Sequence, residues 1–175
     1  MATTAQQLAF WRSVLPVAQA IHAAVPQMYV QTLLAQMGDE TGYNAAGYPA
    51  NNLAGISPGG RLARYRSRQA FVRAYVTAIR SPLYARVRAA EGVAAQLYAL
   101  GASAWASGHY NDGAGPGSAL AAIYQENRGL LDSLAGSVPV PLPFGGGTAS
   151  IPTWLPVVAI GVPLAALAIS DLRRL

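Results

Sequence analysis

The chain contains no cysteine and no lysine, and it has only seven acidic residues and two histidines in 175 positions. The absence of cysteine excludes disulfides and thiolate metal sites. His22 and His109 lie far apart and make no zinc-ligand spacing, so no metal or other cofactor is expected. Because lysine is missing, all twelve basic residues are arginines, and the formal net charge is +5. Eight of the twelve fall between Arg61 and Arg88, a stretch without a single Asp or Glu. A surplus of this kind favours an anionic partner. Nucleic acid, an anionic cell wall and a membrane surface all fit the charge, as does a solvated basic face. No nucleic-acid recognition motif accompanies the arginines, so a nucleic-acid partner is not expected. The start, MATTAQQLAFWRSVLP, has no basic leader, and Arg12 interrupts its apolar residues, unlike a secretory signal.

The length suits one domain with a core plus a short additional segment. Leu8, Trp11, Leu15 and Ala18 recur at helical spacing, with Pro16 expected to kink or split that helix. A second helix is predicted from Pro26, with Val30, Leu33, Leu34 and Met37 as its apolar stripe and Gly42 as its stop. An Asn-, Gly- and Pro-rich loop follows from Asn44 to Gly60. In RLARYRS, Arg64, Arg66 and Arg68 alternate with Tyr65 and Ser67, a period of two that predicts a short strand or hairpin arm. Further helices are predicted over Gln69–Arg80, around Leu83–Ala90, around Val93–Ala104, and from a Ser118 cap through Leu134. The body is therefore mainly α, with one small β-hairpin.

After Asp132 no charged residue occurs until Asp171. The domain is expected to span 1–135, with a Pro/Gly linker at 136–150 and a hydrophobic C-terminal helix at 151–175. The run from Ile151 to Ile169 would measure about 28 Å as a helix, close to a bilayer core. Trp154 stands near one end, and Arg173 and Arg174 lie beyond the other. A membrane, or an apolar channel of a larger assembly, is thus the expected partner of residues 151–170.

The only adjacent acidic pair, Asp39 and Glu40, closes the second predicted helix just before the loop. A helix C-terminus carries partial negative charge, which favours a carboxyl group that keeps its proton and can donate it. Glycoside cleavage needs such a group. Adjacent positions do not face each other on a helix, so Asp39 is not expected to be the partner of Glu40.

Leu34, Ala35 and Gln36, then Glu40, Thr41, Gly42 and Tyr43, resemble the signature of the endo-β-N-acetylglucosaminidases of glycoside hydrolase family 73. That family includes flagellar-rod wall hydrolases, autolysins and phage lysins. The resemblance continues in Asn51, Asn52, Leu53, Gly55 and Ile56, with Ala54 where the family has Phe. Residues 64–71, RYRSRQAF, resemble its Arg-x-Tyr-x-Ser stretch, and residues 103–110, SAWASGHY, a shortened form of its last motif. The resemblance covers roughly residues 5–134. It implies a lysozyme-like fold and a peptidoglycan hydrolase with Glu40 as general acid. It also implies a cleft lined by Gln36 and Tyr43, a loop shaped by Asn51 and Asn52, and an aromatic wall of Trp105 and Tyr110. Arg64, Arg66 and Arg68 would hold the carboxylates of the wall polymer.

The sequence departs from the family in having no second carboxylate between Glu40 and Glu91. Asp112, beside Tyr110, is the candidate substitute, although loop aspartates are commonly turn residues. The departure leaves three alternatives: substrate-assisted hydrolysis, a single-acid lytic transglycosylase, or a wall-binding structural module without activity. A wall-acting domain without a leader suggests a phage origin, with a virion or the bacterial cell envelope as its location and other virion proteins as further partners.

Overall fold

The computed structural model describes residues 4–44, 51–106 and 109–137. The 45–50 part of the loop, residues 107–108, the linker from residue 138 on and the hydrophobic C-terminal run lie outside them, and so does the expected membrane segment. Among the described residues no helix is long and apolar enough to cross a membrane.

The described residues form seven α-helices: α1 (Thr4–Ala24), α2 (Val30–Thr41), α3 (Arg68–Arg80), α4 (Ala85–Ala89), α5 (Val93–Gly101), α6 (Ser118–Glu126) and α7 (Arg128–Ala135). Single 3₁₀ turns at Pro58–Gly60 and Pro82–Tyr84 link them in places. The mainly α expectation holds, and the hairpin does not: among the described residues there is no strand. Asparagine side chains take the bonds a partner strand would supply. Asn51 Nδ2 donates to the Tyr65 carbonyl at 2.9 Å, and Asn52 Nδ2 donates to Ala63 at 3.1 Å. A period of two marks alternating exposure, and an irregular extended segment satisfies it equally well. Arg64 and Arg66 are exposed with Tyr65 half-buried between them.

The organising element is α2. Nine of its twelve residues are buried, more than a single amphipathic stripe would hide, because α1, α5, α6 and α7 all pack on it. Trp11 of α1 is fully buried and donates its indole N–H to the Leu34 carbonyl at 3.0 Å. The helix starts at Val30 rather than Pro26. Gln96 of α5 decides the start: its side-chain oxygen accepts from the Tyr29 amide at 2.9 Å, while its amide donates to Gln27 and Val87. Gly42 ends the helix as expected, in the left-handed conformation at φ +55°.

Two other boundaries differ from expectation. Pro16 lies inside a continuous 21-residue α1. The buried face on either side of it, from Phe10 to Ile21, outweighs the one missing N–H, and Arg68 donates to the Ser13 carbonyl beside the proline. The last predicted helix is two: Asn127 leaves helical geometry at φ −118°, and its side chain donates to Ile123 O at 3.0 Å, dividing α6 from α7. Ser118 is not a helix cap either, since its hydroxyl turns back to Asp112 and Gly115.

Candidate functional site

Glu40 occupies the last turn of α2, one turn after Gln36. The helix aims it at the segment that follows α5. There His109 and Tyr110 meet the same carboxylate oxygen: His109 Nε2 lies 2.9 Å from Oε1, and the Tyr110 hydroxyl donates to it. The carboxylate also packs against Gly55. A β-carbon on Gly55 would fall 2.7 Å from the Glu40 carboxyl carbon and closer still to Oε2. Only glycine allows this approach, and its φ of +63° also suits glycine. The carboxylate is thus pinched between a histidine–tyrosine pair and a loop backbone, and the Glu40 side chain is only 7% exposed.

Behind it runs a line of buried donors. The Tyr75 hydroxyl, from α3, donates to Gln36 Oε1 at 2.8 Å; Gln36 Nε2 donates to the Tyr110 hydroxyl at 3.2 Å; Tyr110 donates to Glu40. Every donor in the line points toward the carboxylate. Gln36, Tyr75 and Tyr110 have no exposed surface. Burial pushes the Tyr110 hydroxyl far above the ordinary phenol range, and the neighbouring Glu40 charge adds to it. Burial does the same to Tyr75. Both phenols therefore remain donors near neutral pH. Asp39 is half-buried, and its carboxyl is raised above the usual range by burial first and by the Glu40 charge second, with His109 opposing.

The Gly55 loop is built by Asn52, which is fully buried. Its side chain receives the Ile56 amide at 2.9 Å and donates to the Ile56 carbonyl at 2.8 Å. Asn51, at φ +61°, sets the reversal before it. Trp105 then fastens the loop from the other side, its indole N–H donating to the Ala54 carbonyl at 2.8 Å. From Gly55 an open groove of about 390 Å³ leads away, lined by the Ile56–Pro58 stretch, Gly60, Ala78, Tyr84, Ala104 and Trp105. Trp105 packs against Tyr75 and Tyr84, with ring centroids 4.8 and 5.4 Å apart.

No family model matches the chain, and neither a curated protein nor a solved structure does. The site is therefore read from its own geometry.

The structure brings together Glu40, Gln36, Asn52, Trp105 and Tyr110, but it changes several roles. Gln36 and Tyr110 do not line a cleft or form a stacking wall; with no exposed surface, they hold Glu40 from behind. Tyr43 does not face the groove. At φ +60° its ring turns onto α1 and meets Phe10 and Trp11 edge-on, 5.8 and 5.4 Å away. Arg64 and Arg66 are exposed beyond the loop, whereas Arg68 is occupied by α1. Asp112 is a turn residue: its carboxylate accepts from the Ser118 hydroxyl and from the Ala114 amide at 3.1 Å, and these bonds hold it below the usual carboxylate range. That suits a persistent anion, not a group that exchanges protons near neutrality. Among the described residues no three His, Asp or Glu side chains gather as a metal cage.

Sequence reasoning missed His109, Tyr75, Tyr84 and the approach of Gly55. His109 left a trace as the neighbour of Tyr110 in SGHY, and Gly55 as a position of the resembling motif. The others come from distant segments that α2 and α3 bring together.

Proposed function

We propose that the protein cleaves the glycan strand of peptidoglycan, with Glu40 as general acid. One observation carries the reading. A nearly buried carboxylate at a helix end is anchored by Tyr110 and His109 and packs against Gly55, which also lines an aromatic groove. A general acid is a carboxyl group held in place beside the bond it protonates. Trp105 and Tyr84 supply apolar ring surface for sugar faces, and the exposed Arg64 and Arg66 supply cations for the polymer's carboxylates. The resemblance to the family 73 glucosaminidases supports the same reaction, and with it a lysozyme-like arrangement of the helices. The hydrophobic run at 151–169 fits anchoring at the envelope or inside a virion.

The test is release of soluble muropeptides from purified peptidoglycan by wild type and by Glu40→Gln, with circular dichroism as the fold control. Glu40→Gln is expected to abolish release and retain the helical spectrum. Near-wild-type release would refute Glu40 as the acid. Muropeptide mass spectrometry of the digest then identifies the bond cut, and whether water or an internal hydroxyl ends the reaction.

A second reading, a wall-binding module without hydrolysis, draws on Asp112, whose carboxylate is engaged in its own turn. Wild type that binds the wall and releases nothing would favour it.

A further inference from the structure

We propose that His109 and Glu40 share one proton and work as a single acid, with His109 as the positioning residue that links Glu40 to solvent. Its use in glycan cleavage rests on the reading above; the pairing itself rests on geometry.

His109 Nε2 is 2.9 Å from Glu40 Oε1, while the His109 side chain is 49% exposed against 7% for Glu40. The imidazole therefore touches the acid on one side and water on the other. Its ring packs on Tyr110 at a centroid distance of 4.1 Å, and the Tyr110 hydroxyl ends on the same carboxylate oxygen. Two charged groups face it from α2: Glu40 directly and Asp39 electrostatically. From its own segment Tyr110 faces it, and that phenol stays neutral.

The cycle balances as follows. The pair starts with its one proton on Glu40. Glu40 gives that proton to the leaving glycosidic oxygen as the C–O bond breaks, and water adds to the anomeric carbon. The proton that water releases is taken up by the exposed imidazole and returned across the Nε2–Oε1 contact, so the pair ends as it began. The Nε2–Oε1 contact gives the buried carboxyl a route by which an exposed ring can reload it after each turnover.

The experiment uses the full chain. Release of soluble muropeptides from purified peptidoglycan is followed across about pH 4 to 9 for wild type, His109→Gln and His109→Ala. Glutamine keeps a donor near the Nε2 position and cannot titrate. The alkaline limb of its activity profile is expected to move down by about one pH unit, with KM changed less than about twofold. Added imidazole is expected to restore His109→Ala, because the exposed site admits it. A His109→Gln profile that superimposes on wild type, or a folded His109→Ala that imidazole does not rescue, would overturn the proposal. Thermal melts of Glu40→Gln, His109→Gln and the double variant provide a readout independent of activity. If wild type releases nothing but the two substitutions are coupled, the hydrolase reading fails and the pair stands. If the two substitutions add without coupling, the pair falls.

Discussion

Gly55→Ala probes the site at its tightest point, and its effect divides into two parts. The first is local: an alanine held at φ +63° costs about 1–2 kcal/mol. The second concerns the carboxylate. The new β-carbon would lie 2.7 Å from the Glu40 carboxyl carbon and 2.9 Å from Oε1, too close for either to remain. Gly55 is set by Asn52 and by Trp105 on Ala54, so the Glu40 side chain is the part that gives. Moving it weakens its bonds to Tyr110 and His109, worth about 1.5–3 kcal/mol where one partner is charged. The sum is about 2.5–5 kcal/mol, a fall in Tm of roughly 10 °C for a domain of this size. A displacement of about 1 Å at a general acid lowers turnover by about 100-fold. Gly59→Ala is the control. Gly59 has φ +62°, and a β-carbon there meets nothing within 4 Å, so only the local part applies and activity is retained. Thermal melts and muropeptide release are measured on both. If Gly55→Ala and Gly59→Ala lose the same stability and activity, the Gly55–Glu40 contact is not what holds the acid.

Tyr110→Phe strips a donor from Glu40 and an acceptor from buried Gln36; a loss of about 1–3 kcal/mol in chemical denaturation is expected, together with reduced turnover. Asp39→Asn acts with pH. Because burial and Glu40 raise the native Asp39 carboxyl, the folded state binds the proton more tightly than the unfolded one. Stability from this group is therefore greatest in acid and is lost as pH rises from the ordinary carboxylate range through the raised native value. The variant should gain Tm at neutral pH and gain nothing below about pH 3; an equal gain at both would refute the burial argument. Asp112→Asn should reduce wall hydrolysis far less than Glu40→Gln, since Asp112 serves its own turn; equal loss in the two would make it a second catalytic carboxylate. Deleting residues 137–175 should abolish flotation with liposomes and leave wall hydrolysis intact, because every proposed site residue precedes Gly113; identical flotation with and without the segment would refute membrane docking.

What the amino-acid sequence determines by itself here is local. Apolar spacing locates most of the helices, Gly42 marks the end of α2, and the one paired acidic step places Glu40 at a helix terminus. These features depend on neighbours a few residues apart, and helical periodicity records such neighbours directly. The hairpin failed because alternation records which side chains meet water and is silent on where the backbone bonds go; Asn51 and Asn52 took those bonds instead. Pro26 lost the start of α2 to Gln96, 70 positions later in the chain. The roles of Gln36, Tyr43 and Tyr110 were decided by packing alone, since a motif names residues without saying which face each one presents. The pairing of Glu40 with His109, the tyrosine–glutamine line behind it and the fit of Gly55 against its carboxylate join segments 15 to 74 residues apart. Nothing local in the sequence encodes such distances; they exist only because α2 is enclosed by four other helices, which bring the residues at its end within reach of one another.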